Sequence, residues 1–398
     1  MSEEIDLSSP DLYHHGIPHH VFRDLRATDP VSWRPQGFWA VTRYHDAIKV
    51  LRTPATFSSW RGSVLLEDPP PEFLAKLRES MMNSDPPDHT WLRRLVNKAT
   101  LNPRRIAQLD GRIAEHAREL VAAVRTQERC DFAQDIAEEM PLFMISEILG
   151  VPVSDRRKLY GLTMRMFTTE VTDPKAAMQD KMAAVAEMRD YAASLGQYKR
   201  NNPADDLTSE LLEAELDGRR LTDGEFQAFF MLLFNAGTDT TRSLLCYGLD
   251  LLLDRPADTE RLRRDETLQP SAIEEMLRYE PPGIQIRRTA THDVELAGQT
   301  IKEGDKVVVF FPSANRDETV FPDPDRFDIT RTPNDHISFG FGTHHCLGAP
   351  LARLEAKHIF RETITQLHDL ERDGATVPIR TNFVRAIRSL PIRYRAAE

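Results

Sequence analysis

Apolar side chains return at three- and four-residue intervals from Thr222 to about Asp254, at Phe226, Phe229, Phe230, Leu233, Leu244 and Leu245, the period of one helix face. Thr222 and Glu225 have the spacing of a capping box at the head of that run, so one long, buried helix is predicted over 222–254. Ser271 and Glu274 repeat the box after Pro270 and predict a shorter helix, which must stop near Pro281 and Pro282 because proline cannot continue it. The same period and helix-forming residues predict helices over 104–126, 134–149, 175–199 and 350–367. Runs of strand character are few and short: Phe38 to Thr42, Val294 to Leu296, Lys306 to Phe311 and Ile392 to Tyr394. No repeat and no Gly/Ser linker divides the chain. The expected architecture is a single large domain over 1–398, mainly α with a small β region.

At 40% hydrophobic and 28% charged residues, the composition is that of an ordinary globular protein. Lys and Arg number 51 against 62 Asp and Glu, and the net charge of -11 argues against nucleic acid or an anionic membrane as the main partner. Cys130, Cys246 and Cys346 are too scattered for a disulfide framework or a close-spaced zinc site. Residues Met1 to Asp6 lack a signal-peptide pattern, and no uncharged apolar run reaches roughly 18 residues. A cytoplasmic protein without a membrane segment is predicted.

Residues 339–348 read Phe-Gly-Phe-Gly-Thr-His-His-Cys-Leu-Gly, and Ala349, Pro350 and Leu351 beyond them have the form of a first helical turn. Glycines at 340, 342 and 348 let the backbone take positive φ and come close to a flat ligand. A cysteine just ahead of a helix has its thiolate stabilised by the dipole and by free N–H groups, which is what an iron-bound thiolate requires. Without that setting Cys346 would read as a small buried hydrophobe.

Phe339, Gly342, Cys346 and Gly348 fall in the spacing FxxGxxxCxG, which resembles the haem-binding signature of the cytochromes P-450. Glu275-Met276-Leu277-Arg278 resembles the ExxR motif of that family, and Ala236-Gly237-Thr238-Asp239-Thr240-Thr241 resembles its oxygen-groove stretch. The motifs stand in the family's order, and the likeness spans roughly residues 35–395, after an N-terminal extension over 1–20. It implies the cytochrome P-450 fold and haem b, with Cys346 as the axial thiolate and only metal ligand. It also implies that Glu275 and Arg278 lock the core together with an arginine ahead of the cysteine loop, for which Arg326 fits. His89, Arg93, Arg288 and His344 are the implied holders of the haem propionates, with Ala236, Phe339, Gly340 and Gly348 bordering the macrocycle.

By motif position Asp239 and Thr240 deliver protons to bound oxygen; the alternative is that Thr240 back-bonds to a helix carbonyl and Asp239 is merely paired in the core. Leu232, Asn235 and Ala236, then Gly283, Ile284 and Ile286, then Phe383 and Val384 are the positions expected to overhang the haem. Most are apolar, which suits a terpenoid, steroid or fatty-acyl substrate. Asn235 departs from the small apolar residue usual there; it either hydrogen-bonds a substrate oxygen or faces the helix backbone.

No nicotinamide or flavin motif is present, so the resemblance implies electrons from a ferredoxin and its reductase. Docking of an acidic ferredoxin on a chain of net charge -11 needs a local basic face, for which Arg94, Lys98, Arg104, Arg105, Arg353 and Lys357 are candidates. The expected activity is hydroxylation by a monomer acting on a small apolar substrate and O2. The alternatives are another oxidation by the same haem, such as epoxidation or oxidative coupling of a polyketide or similar intermediate, and a non-enzymatic haem sensor.

Overall fold

The computed structural model describes residues 5–99, 103–167 and 173–397. Eight helices build the core: α1 (Asp88–Ala99), α2 (Pro103–Arg125), α3 (Glu139–Leu149), α4 (Arg156–Phe167), α5 (Pro174–Asn201), α6 (Asp223–Leu253), α7 (Gln269–Tyr279) and α8 (Ala349–Gln366). A five-stranded sheet lies to one side, formed by β1 (Val31–Arg34), β2 (Phe38–Val41), β3 (Phe57–Ser58), β4 (Gln285–Ala290) and β5 (Lys306–Phe310) in the order β1-β2-β5-β4-β3. Only the β2–β5 pair is parallel. Three smaller sheets and several short helices complete a mainly α fold.

The hydrophobic period locates six of these helices to within a few residues and does not predict α1 or α4, and the segment predicted over 134–149 divides into a π-helical turn at Ala133–Ala137 followed by α3. The capping box of α6 forms as predicted: the Glu225 N–H donates to Thr222 Oγ1 at 3.2 Å and the Thr222 N–H donates to Glu225 Oε2 at 2.8 Å. The expected box at Ser271 does not. Helix α7 begins two residues earlier, at Gln269, with Pro270 in its first turn. The Ser271 hydroxyl instead donates to the Ile329 carbonyl at 2.7 Å, and Glu274 accepts from Arg353 at 2.6 Å.

Helix α6 belongs to two hydrophobic cores at once. Its N-terminal half sets Phe229, Phe230 and Phe234 among α1, α3 and α5, while Leu245, Leu249 and Leu252 pack with α2, α7 and α8. Burying each such side chain contributes about 1.5–3 kcal/mol, so this helix is the axle of the fold. At Gly248 a Cβ would stand 2.5 Å from Phe360 Cζ and 2.9 Å from Met276 Sδ, so a glycine is what allows α6, α7 and α8 to meet.

Helix α7 ties that axle to the segment before the cysteine. Arg278 donates to Glu275 through Nε at 2.7 Å and Nη2 at 2.8 Å, and neither side chain has any solvent exposure. The remaining donors of Arg278 reach the carbonyls of Asn315 (3.0 Å), Pro324 (2.9 Å) and Arg326 (3.2 Å). The arginine that completes the lock is Arg331, whose Nε lies 3.1 Å from Glu275 Oε2. This corrects the expectation for Arg326: only its carbonyl takes part, and its side chain is turned out to solvent, 3.6 Å from Asp328. Breaking a buried pair strands its partner's charge, so Arg331→Ala should lower the unfolding free energy by about 3 kcal/mol. Arg326→Ala should change it by less than about 0.5 kcal/mol in the same urea titration followed by far-UV circular dichroism.

Candidate active site

A slot-shaped cavity opens between α6 and the loop that carries Cys346. That loop folds back tightly: Gly340 and Gly342 both have φ of 70°, and the Cys346 N–H donates to the Phe339 carbonyl at 2.8 Å. At Gly342 a Cβ would meet the Leu51 carbonyl oxygen at 2.9 Å, so a side chain there would push the loop off the backbone of Leu51 and Arg52. Cys346 is accessible only because it opens onto the slot; otherwise it is enclosed by protein. Burial pushes its thiol pKa up, and the N–H groups of Gly348 and Ala349 together with Arg93 act against that. These are the groups a thiolate at the head of α8 draws on.

One edge of the slot is crowded with donors. His89 is buried with neither ring nitrogen hydrogen-bonded, and its ring centroid lies 4.2 Å from that of His344. Arg93 donates to the Thr343 carbonyl at 3.3 Å, and buried Arg288 donates to the carbonyl of Arg287 at 2.8 Å. Burial, then neighbouring Arg93, holds His89 down to about 4; burial, then Arg288, holds His344 down to about 2; burial brings Arg288 down to about 10. The nearby carboxylate of Asp85 is engaged by the Ser58 hydroxyl and the Ser59 N–H. Apart from a 3.3 Å contact between His344 Nε2 and Ser59 Oγ, these four cationic or donor side chains find little compensation within the protein, and the edge they form suits an anion.

The opposite wall is mostly apolar, with Thr240, Thr241 and Gln285 as its polar members. Helix α6 contributes Leu232, Ala236, Gly237, Thr240 and Leu244, α3 contributes Ile145 and Ile148, and Gly283, Ile286, Phe383 and Val384 close the far end. Phe339, Gly340 and Gly348 line the cysteine side. Gly348 has an ordinary φ of -85°, and no protein atom lies within 4 Å of where its Cβ would stand. The protein alone does not require glycine there, and the open space leaves room for a flat ligand. A thiol on one face, a cationic edge and glycine where a plane would press together fit haem with its two propionates.

Several predicted positions lie elsewhere. Ile284 is fully buried in a separate core with Phe22, Phe38 and Phe310, because neighbouring residues of this extended segment point to opposite sides. Asn235 turns away from the slot to α4, where its Oδ1 accepts from Thr163 Oγ1 at 2.7 Å and its Nδ2 approaches Met166 Sδ at 3.3 Å. Asp239 is buried on the side of α6 away from the slot, its Oδ1 3.4 Å from Arg242 Nη1. The Thr240 hydroxyl lies 2.6 Å from the Ala236 carbonyl, to which it donates, and α6 is helical throughout this stretch. Gly237 has a packing role besides, since a Cβ there would stand 3.1 Å from Ile145 Cδ1. Of the candidate docking cations, Arg353 is held by Glu274, Arg94 lies 3.5 Å from Asp217, and Lys357 is exposed. The side chains of Lys98, Arg104 and Arg105 lie outside the described residues. Ile145, Ile148, Met81 and Met82 line the slot without having been singled out in the sequence, where they are ordinary core residues of their segments.

The model of the cytochrome P-450 family matches residues 9–389. A steroid C26-monooxygenase of Rhodococcus jostii is 35% identical over 411 residues, covering 100% of this chain and 86% of that protein. A methyl-branched lipid omega-hydroxylase of Mycobacterium tuberculosis is 34% identical, covering 98% of this chain and 95% of its own length. Among solved structures, a Mycobacterium marinum cytochrome P-450 in complex with pseudoionone superposes with a TM-score of 0.90 at 38% identity, covering 98% of each chain. A Bacillus megaterium cytochrome P-450 in complex with testosterone gives 0.88 at 35% identity, covering 95% of this chain and 97% of that one. This chain belongs to the cytochrome P-450 family. It is accordingly an oxidoreductase, a cytochrome P-450 monooxygenase, and none of its described helices is long and apolar enough to cross a membrane.

The cationic edge has a consequence for the haem-free protein. The folded pKa of His89 lies below the unfolded value near 6.5, so the unfolded chain binds the proton first. Stability should therefore fall as the pH drops from about 6.5 to about 4, and flatten once the folded form also takes the proton. Urea midpoints of the apoprotein across that range should show the decline, and His89→Gln should weaken it.

Proposed function

We propose that this chain hydroxylates a steroid, terpenoid or branched fatty-acyl compound with O2 and electrons from a ferredoxin and its reductase, working as a cytoplasmic monomer. The apolar wall facing Cys346 carries this reading: the ionisable side chains of the slot lie at its edge or on the cysteine side, leaving shape and apolar contact to select the substrate. Relatives named for steroid and methyl-branched lipid oxidation support it. Bound haem would supply the reductive activation of dioxygen, its thiolate ligand favouring O–O cleavage.

The protein's share is to hold that group, exclude water and move protons. His89, Arg93, Arg288 and His344 would bind the propionates, and Cys346 the iron. Asp239 and Thr240 divide the proton work across α6. Burial raises the Asp239 pKa and Arg242 opposes it, so the carboxyl is poised to exchange a proton. Arg242, Glu138 and Tyr160 line a cleft on the outer side of the helix, from which Asp239 is supplied. Thr240 faces the slot, and its hydroxyl, on releasing the Ala236 carbonyl, would be free to pass a proton into the slot.

Carbon monoxide bound to the reduced, haem-loaded protein should give the red-shifted band of a thiolate haem, and Cys346→Ala should abolish it; absence of the band in the parent protein would sink the assignment. Thr240→Ala and Asp239→Asn should each lower product formed per electron consumed, with Asp239→Asn slowing turnover by about 10²-fold. Unchanged coupling in Thr240→Ala would refute the proton relay and leave the haem site standing.

A further inference from the structure

We infer that Arg385 is a specificity-determining positioning residue: its buried ion pair with Glu280 sets how far Val384 and Phe383 project into the substrate end of the slot. This rests on the proposal that the apolar wall is where substrate lies. Phe383 and Val384 belong to a segment, 379–386, with almost no regular secondary structure, so something outside the segment must fix its position.

Backbone bonds provide part of the answer. The Ile379 N–H donates to the Ala386 carbonyl at 2.8 Å and closes the neck of the excursion. The Arg385 N–H donates to the Pro282 carbonyl at 2.8 Å, and the Ile284 N–H donates to the Phe383 carbonyl at 2.7 Å. These two bonds splice the segment to the chain leaving α7 and bring Val384 opposite Gly283, so two parts of the wall move as one.

Side chains fix that spliced unit to the core, at two places of very different strength. At the outer tip, Arg380 pairs with Asp11 and the Asn382 amide donates to the Ser8 carbonyl at 2.7 Å. Arg380 and Asp11 are 41% and 69% exposed, and water and salt leave such a pair with little energy. At the inner end, Arg385 is only 6% exposed; it ion-pairs with Glu280 and lies 4.0 Å over the ring of Tyr247 on α6. Glu280 is the C-cap residue of α7. A single guanidinium thus clamps α6, the end of α7 and the wall segment.

The position of that clamp gives it consequence. Helix α7 grips the cysteine side through Glu274, which accepts from Arg353 of α8, and through Glu275, which holds residues 328–334. Its other end, through Glu280 and Arg385, grips the wall opposite. The separation between the two sides is therefore carried by one 11-residue helix rather than by a loop. A buried cation with one unpartnered nitrogen, Nε, is a costly way to hold an apolar wall, and nothing at the propionate edge uses it. What it contributes is a fixed width, and width decides between a rigid ring system and a flexible chain.

Arg385→Met combined with Glu280→Gln removes both charges, so neither is left buried and unpaired. Two probes should be titrated spectroscopically into the ferric, haem-loaded protein: imidazole, which needs only the iron, and 4-phenylimidazole, whose ring must lie against the wall. The expected result for the double variant is an imidazole Kd within about twofold of the parent, a 4-phenylimidazole Kd changed by about tenfold or more, and faster deuterium exchange at the amides of Ile284 and Arg385. A common shift of both probes, or no selective shift at all, overturns the inference. If the parent lacks both the imidazole response and the red-shifted carbon monoxide band, the haem-thiolate reading itself fails and takes this inference with it.

Discussion

Glu275 is a carboxylate without solvent exposure, and the geometry of the site depends on how its charge is met. It accepts from both arms of Arg278, from Arg331, from the Asn334 amide at 3.1 Å and from the Asp328 N–H at 2.9 Å. Left bare, such a charge would cost several kcal/mol, so every donor is held to its place. Three of those donors come from residues 328–334, the stretch that leads into the cysteine loop. The Ser338 hydroxyl continues the attachment by donating to the Leu277 carbonyl at 2.7 Å. Cys346 is thereby positioned from α7, and the glycines let the loop turn to close the bond from the Cys346 N–H to the Phe339 carbonyl.

The edge of the slot obeys the opposite logic. Around Glu275 opposite charges are matched within the protein; around His89, Arg93, Arg288 and His344 they are not, and burial depresses the protonated form of each. A folded chain does not concentrate donors in this way for its own stability. An anionic ligand would relieve this imbalance, which is complementary to the largely neutral wall on the other side.

Much of this was legible in the sequence, and the failures have physical causes. The period of α6 and its capping box survive because both are local, and the spacing around Cys346 is local too. Arg326 fits the lock by motif position, but spacing cannot say which way a side chain leaves a loop; the carbonyl of Arg326 joins the network while its guanidinium faces water, and Arg331 supplies the charge. Strand β4, Gln285–Ala290, carries two arginines and shows no apolar alternation. Arg287 on one of its sides holds the carbonyls of Leu65 and Glu67, and Arg288 on the other faces the slot. Both arginines are buried for reasons that lie far away along the chain. Ile284 was misplaced for the same kind of reason, by one step of an extended backbone.

Asn235 shows how selectivity can come from an amide that never meets the substrate. Had it faced the slot, the wall would hold a donor and an acceptor, and a ligand without matching groups would leave them unsatisfied. Turned instead to Thr163 and Met166, it spends both ends of its amide on joining α4 to α6. Phe167, the last residue of α4, stacks on Phe383 with ring centroids 6.2 Å apart, so the tie at Asn235 also steadies the side of the wall that Arg385 does not reach. Apart from Thr240, Thr241 and Gln285, which line the slot, polar groups thus stand behind the wall and apolar groups in front of it. Discrimination among apolar molecules is then a matter of fit, which depends on how rigidly the groups behind are held.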